Sequence, residues 1–272
     1  MGALLSVALG VGSMVQLGQN SALSRQLGHY LPASVVSYSG GALVIALLST
    51  YWRRLYASDT PPANEYRQGR ERRRSGLRWW ELSGGAIGCL TLVSSVAVAP
   101  HLSFTVVATV GSVGQLLASL TVDHLGLLGV PQRRITKRKA LGAALVLIGC
   151  AGASMDLATS SAAAATGGRS ISALRAVGLG LLYATSRAAQ PLKSALNYRL
   201  ALYMPPPAGP LAGGASFWVG MATVLLLCGG LFLRRPDVAR GVLAAFRPPR
   251  SSALRWWMLV GGFYGATENL FT

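Results

Sequence analysis

The stretch LSGGAIGCLTLVSSVAVAPHLSFTVVATVGSVGQLLASLTV, Leu82 to Val122, contains no Lys, Arg, Asp or Glu and ends against Asp123. Pro100-His101 is its one visible interruption. Divided there, it yields two apolar runs of about 20 residues, the length a helix needs to cross the hydrocarbon core of a bilayer. Lipid offers no partner to a backbone amide or carbonyl, so runs of this kind must be helical. The whole chain agrees with this reading: 12% of its 272 residues are charged and mean hydropathy is +0.44, whereas an ordinary soluble domain is about 25% charged. The fold class expected is all-α, a polytopic transmembrane helix bundle.

Working outward, further spans are expected at Ala3 to Leu23, Leu31 to Trp52 and Ala140 to Leu157. These join Trp79 to Ala99 and Ser103 to Leu125 as a set of five. A small-residue linker, ATSSAAAATGGRS, follows. Beyond it come Ala176 to Leu196, Pro210 to Leu233 and a segment starting at Trp256, for about eight spans in all. The formal charge of +17 resides between the apolar runs, chiefly in Arg53 to Arg78 and PQRRITKRK. Basic loops flanking greasy segments are a topology signal, so the charge does not imply a nucleic-acid partner. With five spans in the first half, both basic loops fall on one side, which places the N-terminus in the cytoplasm. Before Arg25 there is no Lys or Arg, so the first run lacks the basic start of a cleaved signal and reads as a retained span.

The chain repeats itself. Ser21-Ala22-Leu23 recurs as Ser194-Ala195-Leu196, an offset of 173 residues at which Pro32 meets Pro205 and Gly40-Gly41-Ala42 meets Gly213-Gly214-Ala215. After a small insertion, RWWELSGGAIG from Arg78 meets RWWMLVGGFYG from Arg255, an offset of 177. The organisation expected is therefore a first five-helix repeat at 1–157, a linker at 158–175 and an incomplete second repeat of about three helices at 176–272. An odd number of spans per copy inverts the second copy, as in many secondary transporters, whose substrate binds between the copies near the midplane. Inversion places the arginines between Arg234 and Arg255 outside, against the usual charge bias.

Several motifs of the first copy resemble the YdcZ-like family of the drug/metabolite transporter superfamily. They are Gln16 and Asn20 four apart in the first helix, Pro32 opening the second, Trp79-Trp80 before a Gly-rich third, and Gln115, Ser119, Asp123 and Gly126 in the fourth. The resemblance covers nearly all of the first copy, in order. His101-Leu102-Ser103 stands where members usually carry a Gly, and the second copy lacks a second GQ motif. It implies a five-helix repeat and a role in small-molecule export, without a substrate.

Polar side chains that persist inside lipid usually face the bundle or a wet pathway. Gln115, Ser119 and Asp123 are spaced four and four, so they form one stripe running roughly 12 Å along the fourth helix. Asp123 then lies at the helix end. It is either a gate or proton acceptor, or a boundary charge paired with Arg133 or Arg134; Gln115 is either a substrate contact or an interhelical hydrogen bond. Gln16 and Asn20 share a face of the first helix and would complete a polar cavity with Gln115. Arg187 falls mid-span with Pro191 and Lys193 following, which suits an anion or a broken helix. Glu268 is the acid best placed for proton coupling, near a terminus that reads as stopping mid-span. Trp79, Trp80, Trp256 and Trp257, each pair beside an Arg, read as interfacial anchors.

Cys89, Cys150 and Cys228 have no CxxC spacing or His partner, so no metal site or disulfide framework is expected. No HExxH, nucleophile motif or Walker loop occurs, so no cofactor and no enzyme activity are expected. The reading that follows is a secondary transporter or exporter of a small metabolite or drug-like molecule. The alternative is a non-transporting membrane protein, a scaffold or truncated paralogue. The partners expected are the lipid bilayer and a small-molecule substrate, with no nucleic acid and homo-oligomer formation left open.

Overall fold

The computed structural model describes residues 2–55, 76–102, 104–164, 173–204, 208–246 and 262–263. Every element among them is helical: α1 (Gly2–Leu27), α2 (Tyr30–Leu55), a 3-10 turn (Trp79–Leu82) leading into α3 (Ser83–Val98), and α4 (Phe104–Leu125) with a second 3-10 turn (Leu127–Gly129). The chain continues through α5 (Lys137–Ala164), α6 (Ala173–Ala188), α7 (Gln190–Ala201), α8 (Ala208–Arg234) and α9 (Pro236–Phe246). The protein is an all-α membrane bundle. Among the described residues, four helices are long and apolar enough to span: Tyr30–Tyr51, Trp79–Val98, Thr105–Leu125 and Gly209–Arg234. At 26 and 28 residues, α1 and α5 have the length, and polar residues such as Gln16, Gln19 and Asn20, or the opening Lys137-Arg138-Lys139, dilute their hydropathy.

The continuous span expected at Ala176 to Leu196 is instead two helices, α6 and α7, meeting at Ala189. Pro191 sits in the first turn of α7. Its ring has no N–H to return to the carbonyl of Arg187, which is why the helix divides here.

Contacts fix the helix directions. Between α1 and α2 the chain reverses at Gly28, whose φ of 70° is the left-handed conformation that closes a helix C-terminus. Down α2 and up α3, Ala33 shares a cluster with Val96 while Ala42 and Ile45 share one with Cys89, so α2 runs antiparallel to α3 and α1 runs with α3. Along α7, by contrast, Lys193 lies by Gly88, Leu196 and Asn197 lie by Gly84, and Arg199 reaches Glu81. The repeat counterparts α1 and α7 therefore traverse the bundle in opposite directions.

α2 and α8, whose sequences match at the offset of 173, also run in opposite directions. Tyr38 on α2 meets Phe217 at 4.7 Å between ring centroids and lies beside Gly220, while Ile45 meets Gly214. At this crossing Gly41 is pressed against Phe217, and its counterpart Gly214 is approached by Ile45. Small residues let the backbones come this close, and in lipid such packing supplies much of the helix association. Tyr38, Ala42, Ile45, Cys89, Phe217 and Val224 form the core where α2, α3 and α8 meet. Cys89 and Cys228 are buried free thiols.

Candidate substrate cavity and its flanking ion pairs

A cavity of about 70 Å³ opens between α1, α2, α3 and the α6–α7 junction. That volume holds a few water molecules. From α1 come Gln16 and Asn20, from α2 Ser37 and Tyr38, from α3 Thr91 and Ser95. The second half contributes Tyr183 and Arg187 at the end of α6, Gln190 and Lys193 at the start of α7, and Phe217 of α8. At the repeat offset of 173, Asn20 and Lys193 are equivalent positions, and both are buried cavity residues.

Each side chain arrives there for a local reason. Gln16 and Asn20 are one helical turn apart, so both face inward. Lys193 lies along Gly88, where any Cβ would come within 3.3 Å of its Cε. Thr91 Oγ1 lies 2.9 Å from the carbonyl of Ile87 and 3.1 Å from that of Ser186, which ties α3 to the turn before the Pro191 break. Ser95 donates to the Thr91 carbonyl at 2.7 Å. Asn20 has no exposed surface, and neither its amide oxygen nor its nitrogen has a hydrogen-bond partner among the described residues; the same holds for the Ser37 hydroxyl and Arg187 Nε.

Gln115 does not itself line the cavity. Its Oε1 accepts from Arg187 Nη2 at 2.7 Å, so the α4 amide orients the cavity arginine from behind. Close packing of α4 on α6 makes this reach short: Gly111 lies against Tyr183 and Arg187, and Gly114 against the carbonyl of Ala184. The stripe expected on α4 divides among different partners. The Ser119 hydroxyl donates to the Leu116 carbonyl within its own helix at 3.1 Å. Asp123 pairs with Lys139, Nζ to Oδ2 at 2.8 Å, and not with Arg133 or Arg134. The loop after α4 doubles back so that Arg133 uses its backbone N–H on the Asp123 carbonyl at 2.8 Å, which brings the start of α5 beside the carboxylate.

Sequence reasoning overlooked a buried ion pair at one end of α3. Glu81 Oε1 accepts from Arg199 Nε at 3.0 Å and from Tyr203 at 3.4 Å, and its Oε2 accepts the Arg78 N–H at 3.0 Å. Arg199 also donates from Nη1 to the Leu128 carbonyl at 3.1 Å and lies 4.8 Å from the Trp80 ring centroid. Leu128 has φ 58°, a left-handed conformation unfavourable for a branched side chain and held only where surroundings over-determine it. Trp79 is 83% exposed beside this cluster. Trp256, Trp257 and Glu268 lie outside the described residues.

The family model described as "Putative inner membrane exporter, YdcZ" matches residues 1–152. The chain belongs to this family. No curated protein and no solved structure matches it. As a YdcZ-type chain it is an integral membrane protein of an exporter family, which is not a family of enzymes. The matched part of this YdcZ-type protein contains Gln16, Asn20, Gln115 and Asp123, whereas Arg187 and Lys193 come from the part beyond it.

Proposed function

We propose that the chain is a secondary transporter that moves a small molecule across the membrane by alternating access, the half ending with α5 and the half beginning with α6 rocking against each other. One observation carries the proposal: the cavity lies between two oppositely directed sets of helices, and the equivalent residues Asn20 and Lys193 enter it from the two sides. In this arrangement a transporter keeps its site fixed and moves the walls around it. The cavity is far below the roughly 300–1,000 Å³ of a pocket that holds a drug-sized ligand, so passage requires α1–α3 and α6–α8 to separate. The Glu81–Arg199 cluster closes one end of that boundary, and His29 with Arg235 stands at the other. With the N-terminus cytoplasmic, the Glu81 end faces the cytoplasm. Glu268 is assigned the proton-coupling role, and Asp123 the anchoring of α4 to α5.

Purified protein reconstituted in liposomes tests this reading. Concentrative uptake that falls at least tenfold in Gln115→Ala, with the variant still monodisperse in detergent, is the result expected. A chain that folds, inserts and moves no member of a broad metabolite panel overturns it in favour of a non-transporting membrane protein.

A further inference from the structure

Two polar side chains, Asn197 on α7 and Ser216 on α8, are buried beside the cavity without lining it. Asn197 is 5% exposed and Ser216 1%. Neither atom of the Asn197 amide, nor the Ser216 hydroxyl, has a hydrogen-bond partner among the described residues. They converge on one point of α3: a Cβ at Gly84 would lie 3.1 Å from Asn197 Oδ1 and 3.4 Å from Ser216 Oγ. A buried polar group without a partner is destabilising, and inside a bilayer lipid supplies none. Its presence needs a reason, and a ligand or water that reaches it in another state of the molecule is one.

The pair stands between the cavity and the Glu81–Arg199 rim on all three helices that surround it. Along α3 the order is Gly88 against the cavity residue Lys193, then Gly84 against Asn197, then Glu81 just before the helix. Along α7 it is Lys193, Asn197 and then Arg199, which bonds to Glu81. α8 begins after Tyr203, another partner of Glu81, and reaches Ser216 one residue before Phe217, which lines the cavity.

Ser216 also has a counterpart in space. Its carbonyl is pressed against Gly85 of α3 as the Ser37 carbonyl is pressed against Gly262, and Gly85 and Gly262 match at the offset of 177. The residues that follow, Tyr38 and Phe217, face each other. Ser37 lines the cavity with Asn20, and there too a hydroxyl and an amide lack partners among the described residues. Each half therefore carries an unpartnered amide and hydroxyl, one set in the cavity and one set shut in by α3. Rocking of one half against the other opens one side of such an arrangement as it closes the other.

Resting on the transport reading above, we propose that Asn197 and Ser216 line the second part of the permeation path, from the cavity to the Glu81–Arg199 rim between α3, α7 and α8. When the rim pair separates, the path fills with water, and hydrogen-bonding groups of the cargo reach Asn197 and Ser216 after leaving Asn20 and Ser37. In the closed state the two side chains wait without partners.

Thiol labelling of the detergent-purified full chain tests this. Asn197→Cys and Ser216→Cys are placed singly in a background with Cys89, Cys150 and Cys228 replaced by alanine, and Val224→Cys, in the core of α2, α3 and α8, is the control. Methanethiosulfonate ethylsulfonate reacts with a hydrated thiolate, so both path positions should be labelled faster than Val224→Cys by about tenfold or more. Labelling should quicken further when Glu81→Gln and Arg199→Met remove the rim pair. Asn197→Leu and Ser216→Ala should keep or raise Tm, because each deletes a group that has no partner. If the alanine background is not monodisperse, the native chain, with the labelling of its own three thiols measured first, replaces it. The proposal is overturned if either path position reacts no faster than Val224→Cys, or if either apolar variant lowers Tm, which would mark a structural hydrogen bond instead. Liposome uptake separates the two claims: transport with both positions unlabelled keeps the transporter and removes this path, and labelled positions in a chain that moves no compound leave a hydrated cleft and remove the transport reading.

Discussion

Arg199 and Glu81, 118 residues apart in the chain, meet at 3.0 Å, and the carboxylate has no exposed side-chain surface. The arginine comes from the end of α7 and the glutamate from the turn before α3, so the pair joins the two halves of the bundle at one rim. Its guanidinium also holds the Leu128 carbonyl after α4 and faces the Trp80 ring. Two segments of the first half, the turn before α3 and the turn after α4, are thereby fastened to one residue of the second.

Removing one partner is expected to be far worse than removing both. Arg199→Ala leaves a buried carboxylate without its counter-charge, an effect of about 3–5 kcal/mol in comparable settings. Arg199→Lys should retain only part of the stability, since an ammonium cannot serve Glu81, Leu128 and Trp80 together. Glu81→Gln combined with Arg199→Met should recover much of what Arg199→Ala loses. Unfolding midpoints in detergent give the order, and a double variant no more stable than Arg199→Ala would show that the charge pair is not the source.

On the third helix, Gly85 is the position on which α8 lies directly. A Cβ at Gly85 would overlap the Ser216 carbonyl and lie 2.7 Å from Val219 Cβ and 2.8 Å from the Gly220 nitrogen. Backbone cannot yield as a flexible side chain can, so Gly85→Ala should destabilise by about 1–3 kcal/mol. Gly178 on α6 has nothing within 4 Å of an added Cβ. Gly178→Ala should be neutral or gain up to about 1 kcal/mol from helix propensity. Equal midpoints for the two variants would mean that α3 and α8 do not pack as described.

Much of this is legible in the sequence. Apolar run length gives the helices, and the offset of 173 pairs α2 with α8 at Gly41 and Gly214. Gln16, Asn20 and Arg187 reach the cavity because intramembrane polarity is a physical signal in itself. Glu81 carried no such signal: it sits beside Arg78 and two tryptophans at a span edge, where charge is ordinary, and its partner is remote in sequence. Asp123 was read with the wrong cation because loop path, not proximity in sequence, selects among Arg133, Arg134 and Lys139. Lys193 follows Arg187 in the same polar stretch, and its equivalence to Asn20 at the offset of 173 is the signal that marks it as a cavity residue.

His29 gives the chain a pH response at the α1–α2 rim. Its Nδ1 accepts the Leu31 N–H at 3.2 Å and its ring stacks on Tyr30. Partial burial, and then the positive Arg235, hold its pKa below the ordinary histidine value of 6.5. The folded state thus prefers neutral imidazole more than the unfolded state does. Stability from this site is complete above 6.5 and falls as pH drops through that value toward the lowered one. Tm should decline between about pH 7.5 and pH 5, and His29→Asn, which keeps an acceptor but cannot titrate, should flatten the decline. An unchanged slope in that variant would place the response elsewhere.

Asp123 tests whether an acid in a family motif is an anchor or a coupling group. Its side chain is 35% exposed and that of Lys139 37%, so water screens the pair and limits it to about 0–1 kcal/mol. The Arg133 backbone bond to the Asp123 carbonyl does not depend on the carboxylate and survives its removal. Asp123→Asn should therefore shift Tm slightly and leave uptake within about twofold of the parent, a factor that corresponds to about 0.4 kcal/mol. Lys139→Gln should behave alike. A protein that stays folded yet loses uptake or its pH dependence in Asp123→Asn, while Lys139→Gln keeps both, would make Asp123 the proton-coupling acid and displace Glu268 from that role.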